Sequence, residues 1–217
     1  MFKFEDENII VCVKPAGVLS QSSENGKSMV SILNEHFEST GQKCEAYPVH
    51  RLDRETSGLI VYAKNSRSAA KLSEQIAKNE IKKHYYAVVK GAPEEKEGVL
   101  TDLLFRDKQK NKSFVVKRKR AGVREASLEY RVIGECDGLS LLDILLHTGR
   151  THQIRVQFSS RKMPLVGDGK YGGGGGNLAL FAHTLEFRHP ATGEQMKFSA
   201  LPETEEFPWK CFWGRNM

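Results

Sequence analysis

The sequence predicts an α+β fold built on a mixed, largely antiparallel sheet with flanking helices, and three observations lead there. Two strand-like apolar runs near the N-terminus are each followed by a helical pattern. The middle of the chain is a succession of short strand-like runs, and no internal repeat or linker interrupts the 217 residues. Strands interleaved with a few helices settle as helices packed on a sheet, here as one domain over 1–217.

Taken in order, Asn8 to Val13 reads as a strand stopped by Lys14-Pro15-Ala16-Gly17, where proline and glycine end the ladder. Met29, Val30, Ile32, Leu33 and Phe37 recur at helical spacing. Leu59 to Ala63 is continuously apolar, as a central strand is. Asn65-Ser66 caps a helix to about Lys78 with Ala69, Leu72, Ile76 and Ala77 inward. Strands follow at 83–89, 99–105, 113–117, 126–133 and 140–146. Arg150 or Thr151 opens a helix with Ile154 and Phe158 one turn apart, and 178–187 and 195–199 close the chain as strands.

Composition narrows the class. With 39% hydrophobic residues the chain can bury a substantial core. No run reaches the roughly 18 apolar residues of a membrane span, and Met1 to Glu7 is no signal peptide, so a soluble, cytoplasmic protein without membrane contact is expected. Cys12, Cys44, Cys136 and Cys211 stand alone, without zinc-type spacing, so neither a disulfide framework nor a structural metal is expected. The net charge of +6 is local: between Arg106 and Arg124 nine Lys or Arg face one acid, Asp107. Such density, with Lys117, Arg118, Lys119 and Arg120 in a row, suits phosphate contact, and Phe114-Val115-Val116 makes part of it an ordered strand. A hairpin whose charges only solvate it is the plainer alternative.

The most informative stretch is His50-Arg51-Leu52-Asp53-Arg54-Glu55-Thr56-Ser57-Gly58, running into Leu59-Ile60-Val61-Tyr62-Ala63. It sets one carboxylate between two arginines in a turn opening a buried-looking strand, which suits an Asp nucleophile or general base. Two superficial likenesses fail. Gly172 to Gly176 lacks the Lys-Ser/Thr of a phosphate loop and reads instead as a mobile loop beside the site. His50-Arg51-Leu52-Asp53 lacks the glycine-rich loop and Asp-Phe-Gly partner of a kinase.

The stretch resembles the signature of the RluA-type RNA pseudouridine synthases. Lys14-Pro15-Ala16-Gly17 is similar to that family's lysine–proline turn. Lys83-His84-Tyr85-Tyr86-Ala87-Val88-Val89 with Gly91 is similar to its tyrosine strand, and His147-Thr148-Gly149-Arg150-Thr151-His152-Gln153-Ile154-Arg155-Val156 to its third core motif. Pro164 to Asp168, Ala182-His183, and His189-Pro190 with Gly193-Glu194 extend the likeness; Gln157 departs from it, since relatives often carry His there.

The resemblance implies the pseudouridine synthase catalytic fold with a central active-site cleft, isomerisation of uridine in ribosomal or transfer RNA, and no cofactor and no metal. It implies Asp53 as the catalytic carboxylate, Arg155 as its ion-pair partner with Arg150 second, and Tyr85 facing the uracil while Tyr86 packs away. Arg51 is expected to help flip out the uridine or to touch phosphate, with Arg54, Thr56 and Arg150 beside it on the RNA. His50 is expected to brace the loop, and His152 and Gln153 to support the third motif. An S4-type RNA-binding domain has no room before Lys14, so RNA would be found by the catalytic domain's own surface, the 106–124 segment included. A monomer with no obligate protein partner is the default. Two other classes are a catalytically idle RNA-binding module of the same fold and an Asp-dependent glycosidase. The second normally needs a partner carboxylate, and only Glu55 is near.

Overall fold

The computed structural model describes residues 1–22 and 27–213. Its elements are β1 (Phe2–Glu5), β2 (Ile9–Lys14), α1 (Met29–Ser39), β3 (Tyr47–Pro48), β4 (Ser57–Ala63), α2 (Ser66–Ala77), β5 (Lys82–Lys90), β6 (Glu97–Asp107), β7 (Lys112–Val116), β8 (Val123–Cys136), β9 (Leu139–Leu146), α3 (Gln153–Ser160), β10 (Leu180–Arg188), β11 (Gln195–Ser199) and α4 (Lys210–Trp213). The fold is α+β, as the sequence predicts. The chain forms two compact units, Met1–Lys83 with Ala182–Ala200, and the rest. It passes from one to the other at 83/84, 181/182 and 200/201, which is why no linker in the sequence marks them.

In the first unit the strand order is β1-β2-β4-β10, with β3 on β4 and β11 on β10. β2 and β4 run antiparallel with Val11 opposite Val61 and Lys14 opposite Gly58. One face of this sheet packs Ile9, Val11, Leu59, Val61, Leu72, Ile81, Leu185 and Phe187 into a core. α2 starts where the sequence says: the Asn65 side chain accepts from Ser68 N at 2.9 Å. Its inner stripe differs, because Ala77 is exposed while Gln75 is buried. Gln75 is satisfied there by donating to Arg188 O and accepting from Arg188 N, so a polar residue tolerates the interior.

In the second unit the order is β5-β9-β8-β6-β7, with each neighbouring pair antiparallel. α3 lies against β6 and β7 with Val156 and Tyr171 packed on Leu104, Ala126 and Val115. The helix begins two to three residues later than predicted, at Gln153. His152, with φ at +55°, takes the left-handed conformation at its N-cap, so Arg150 precedes the helix. The glycine run is not open loop throughout. A Cβ on Gly173 would lie 1.7 Å from Leu165 O, and Gly173 N donates to Asp168 O at 2.7 Å. β1, β3 and α4 escape the sequence reading, being too short to show a periodicity.

Candidate active site

Each part of the site is built within one unit. Asp53 sits, half-buried, in the loop 50–56 that feeds β4, and this loop is anchored from below. Lys14 ends β2 fully buried, and its Nζ donates to Pro15 O at 2.9 Å, Val18 O at 2.7 Å and Arg54 O at 3.1 Å. Burial brings the Lys14 ammonium down to about 8, against the opposing pull of the Asp53 and Glu55 carboxylates. A cation whose donors are taken up by carbonyls ties the residue after Asp53 to the lysine–proline turn. Ser20 adds a second anchor, its Oγ donating to Leu52 O at 2.8 Å and accepting from Leu52 N at 3.0 Å. Tyr62 OH in turn holds Ser20 O at 2.7 Å. Arg54 N–H at Nε reaches Gly17 O at 3.0 Å, and Gly17 N reaches Arg54 O at 2.8 Å, so the lysine–proline turn and the Asp53 loop are stitched together.

The loop leaves through Gly58, where the chain has no alternative residue. Its φ is +118°, and a Cβ there would lie 2.4 Å from the backbone N and O of Ala182. His50 behaves as the sequence suggests. Its Nε2 accepts from Val61 N at 3.2 Å, and burial, aided by the Lys83 charge, pushes its pKa down to about 3. It is therefore a neutral brace. Arg51 and Arg54 are exposed. Thr56, expected on the RNA, is instead only 2% exposed, with its N–H on Asp53 O at 3.1 Å. Its hydroxyl is shut away from solvent, so the residue serves the turn.

In the second unit Arg155 is buried on α3 and gripped bidentately by Asp168: Nε to Oδ2 and Nη2 to Oδ1, both 2.7 Å. Tyr171 flanks the guanidinium, 5.4 Å from ring centroid to Cζ, and its N–H also donates to Asp168 Oδ1. The same ring is fixed by His152 Nδ1 at 3.0 Å from its hydroxyl and by Ser113 N at 2.8 Å. The sequence reading gave Arg155 one partner, Asp53, and missed Asp168. The signal was present, since Asp168 closes the string Pro164 to Asp168 that the family resemblance already singles out. Asp53 and Arg155 belong to different units.

Tyr85 is buried on β5 opposite Ile144. Tyr86, on the other face, packs edge-on against Trp213 at 5.3 Å, the packing role expected of it. Gln153 accepts from Thr148 Oγ1 and Arg150 N and so closes the turn before α3. Arg150 is exposed, its Nε on Glu125 O at 2.9 Å, and Lys117, Arg118, Lys119 and Arg120 are all exposed after β7. Gln157 is fully buried with Nε2 on Asp102 Oδ2 at 2.8 Å. All four cysteines are free thiols, and among the described residues no helix is long and apolar enough to cross a membrane.

The loop that carries Asp53 is thus anchored by Lys14 and Ser20, and Arg155 is buried and locked by a carboxylate. Residues 8–160 match the family model described as RNA pseudouridylate synthase. The chain belongs to that family of isomerases. It is 35% identical over 198 residues to an uncharacterized RNA pseudouridine synthase, YhcT, of Bacillus subtilis, covering 88% of this chain and 65% of that one. It is 36% identical over 182 residues to ribosomal large subunit pseudouridine synthase D of Borreliella burgdorferi, covering 81% and 55%. The chain thus spans somewhat less than two thirds of the length of either relative. Among solved structures, human RNA pseudouridylate synthase domain containing 4 shares the fold, with a TM-score of 0.77 at 24% identity over 92% of this chain and 88% of that one.

Proposed function

We propose that this protein isomerises uridine to pseudouridine in RNA, with ribosomal or transfer RNA as the substrate class, and that Asp53 is its catalytic carboxylate. The observation that carries the reading is the anchoring of the Asp53 loop by Lys14 and Ser20 within the stretch that matches the family. Catalysis by a single carboxylate needs its backbone fixed before the substrate arrives, because orientation supplied in advance lowers the barrier.

In this reading the bond from ribose carbon to uracil nitrogen breaks, the base turns, and the ribose joins a ring carbon, whose hydrogen passes to water. Asp53 acts as a base or nucleophile at the ribose or the uracil ring, or stabilises positive charge along a glycal route; each starts from its ionised form. Arg155 pairs with Asp53 and is itself held in place by Asp168. Tyr85 faces the uracil. Arg51 enters the stack to release the uridine, with Arg54, Arg150 and the Lys117 to Arg120 run on phosphates. Redox chemistry plays no part in the reaction as written.

The test uses RNA tritiated at the uracil carbon that gains the new bond. Wild-type protein should release tritium to water. Asp53→Asn should lose turnover by at least about a thousandfold, as expected when a covalent or acid–base group is removed, while still binding RNA. Free uracil in place of tritium release would identify a hydrolase, and near-wild-type turnover by Asp53→Asn would show that another residue acts.

A further inference from the structure

We infer that the outward face of the β6–β7 hairpin is a stacking platform for an unpaired base of the substrate RNA, centred on Phe114. This deepens the RNA reading above and rests on it. The hairpin has two unlike faces. Leu104 and Val115 point inward, onto Val156 and Tyr171, and hold the hairpin to the domain. By strand alternation Phe105 and Phe114, which lie directly opposite each other, share the other face, and Val123 of β8 continues the row beyond Phe105. Phe114 is 37% exposed, an uncommon state for an aromatic ring with no core to join.

Cations surround this pair. Arg120 Cζ lies 4.8 Å over the Phe105 ring, brought there by the turn at Arg120–Val123, in which Val123 N donates to Arg120 O. Gly122, at φ +79°, supplies the left-handed residue that this turn needs. Lys112 Nζ lies 4.9 Å from the Tyr171 centroid and 5.9 Å from that of Phe114, and Lys117, Arg118 and Lys119 stand exposed immediately after β7. An exposed π-face beside a cationic run matches one occupant by charge and shape: a nucleobase stacked on Phe114, its flanking phosphates met by Arg120 and the exposed residues from Lys117. Stacking of this kind is indifferent to which base it holds, so the platform would hold a strand without reading its sequence.

The experiment compares wild type with Phe114→Leu and Phe114→Trp, using fluorescence anisotropy on a labelled single-stranded RNA and a duplex of the same length. Leucine keeps the apolar bulk and removes the π-face; tryptophan enlarges it. Phe114→Leu should weaken single-strand binding about tenfold or more, from the usual worth of one stacked base. Duplex affinity and the salt dependence should stay within twofold of wild type, and Phe114→Trp should bind the single strand at least as well as wild type. Single-strand affinity within twofold of wild type for Phe114→Leu, or an equal loss on duplex, overturns the platform. If wild-type protein releases tritium from RNA while Phe114→Leu binds normally, only the platform fails. If wild type neither binds RNA nor releases tritium, the functional reading beneath it fails first. Thermal midpoints of both variants matching wild type confirm that they are folded.

Discussion

Asp168→Asn is the sharpest test of how Arg155 is held. The pair is buried on both sides, with 4% and 0% of the side chains exposed, and both of its contacts are 2.7 Å. Replacing the carboxylate by an amide leaves the guanidinium charged and buried without the carboxylate that grips it bidentately. It also turns an amide N–H towards an arginine N–H. Breaking a buried pair from one side costs about 3–5 kcal/mol, which for a chain of this size lowers the thermal midpoint by roughly 6–20 °C. Urea unfolding of the variant against wild type reads the loss directly, and tritium release reads the chemistry. Adding Arg155→Met removes the buried cation, so the double variant should regain at least half of the lost stability. Its turnover should be abolished if Arg155 serves Asp53 as proposed. A single variant within about 1 kcal/mol of wild type, a loss too small for a broken buried pair, would refute the buried-pair reasoning. A double variant with wild-type turnover would reduce Arg155 to scaffolding.

Replacing Lys117, Arg118, Lys119 and Arg120 together by Gln should flatten the dependence of log K on log salt by about 3, from roughly 0.7 per phosphate on a single strand; an unchanged slope removes the run from the RNA. Gly58→Ala forces a Cβ to within 2.4 Å of the Ala182 backbone at φ +118° and should cost more than about 3 kcal/mol, seen as loss of soluble protein or of unfolding midpoint, a midpoint within 2 °C of wild type (less than about 1 kcal/mol) being the contrary result. His50 has a folded pKa near 3 against 6.5 for the free side chain, so the unfolded chain takes the proton first. Its contribution is full above about 6.5 and is lost progressively as the pH falls towards 3. His50→Asn should accordingly lose less stability than wild type between pH 7 and pH 5 in urea titrations, and parallel losses would argue against a neutral buried imidazole.

The features legible in the sequence are those whose cause is local. Asn65 caps α2 because an Asn before a helical pattern can reach the N–H three residues on, and that needs no knowledge of the rest of the chain. The continuous run Leu59 to Ala63 becomes a buried strand for the same kind of reason. What escaped is set by distant partners. Thr56 looks like a surface hydroxyl until the loop is seen to close over it, and Gln75 looks like a solvent residue until Arg188 supplies both of its bonds. Lys14 gave a partial hint, as a charge at the end of an unbroken apolar strand. Its three carbonyl partners, one of them forty residues away, are a property of the fold alone. Asp168 and Arg155 are thirteen residues apart, off any helical or strand period, and only the turns that lead out of α3 to Asp168 bring them together.

β7 is the last strand in its sheet's order, and at Ser113 its outer margin is already capped, the Tyr171 hydroxyl taking up both the N–H and the C=O. The cations at Lys108, Lys110, Lys112 and Lys117 border that margin, and charge repulsion between like edges keeps two copies from zipping together. The residues proposed to grip nucleic acid therefore double as gatekeepers against aggregation. Salt that screens them would withdraw both services at once, and a concentrated, RNA-free preparation should be least soluble where its affinity for RNA is weakest.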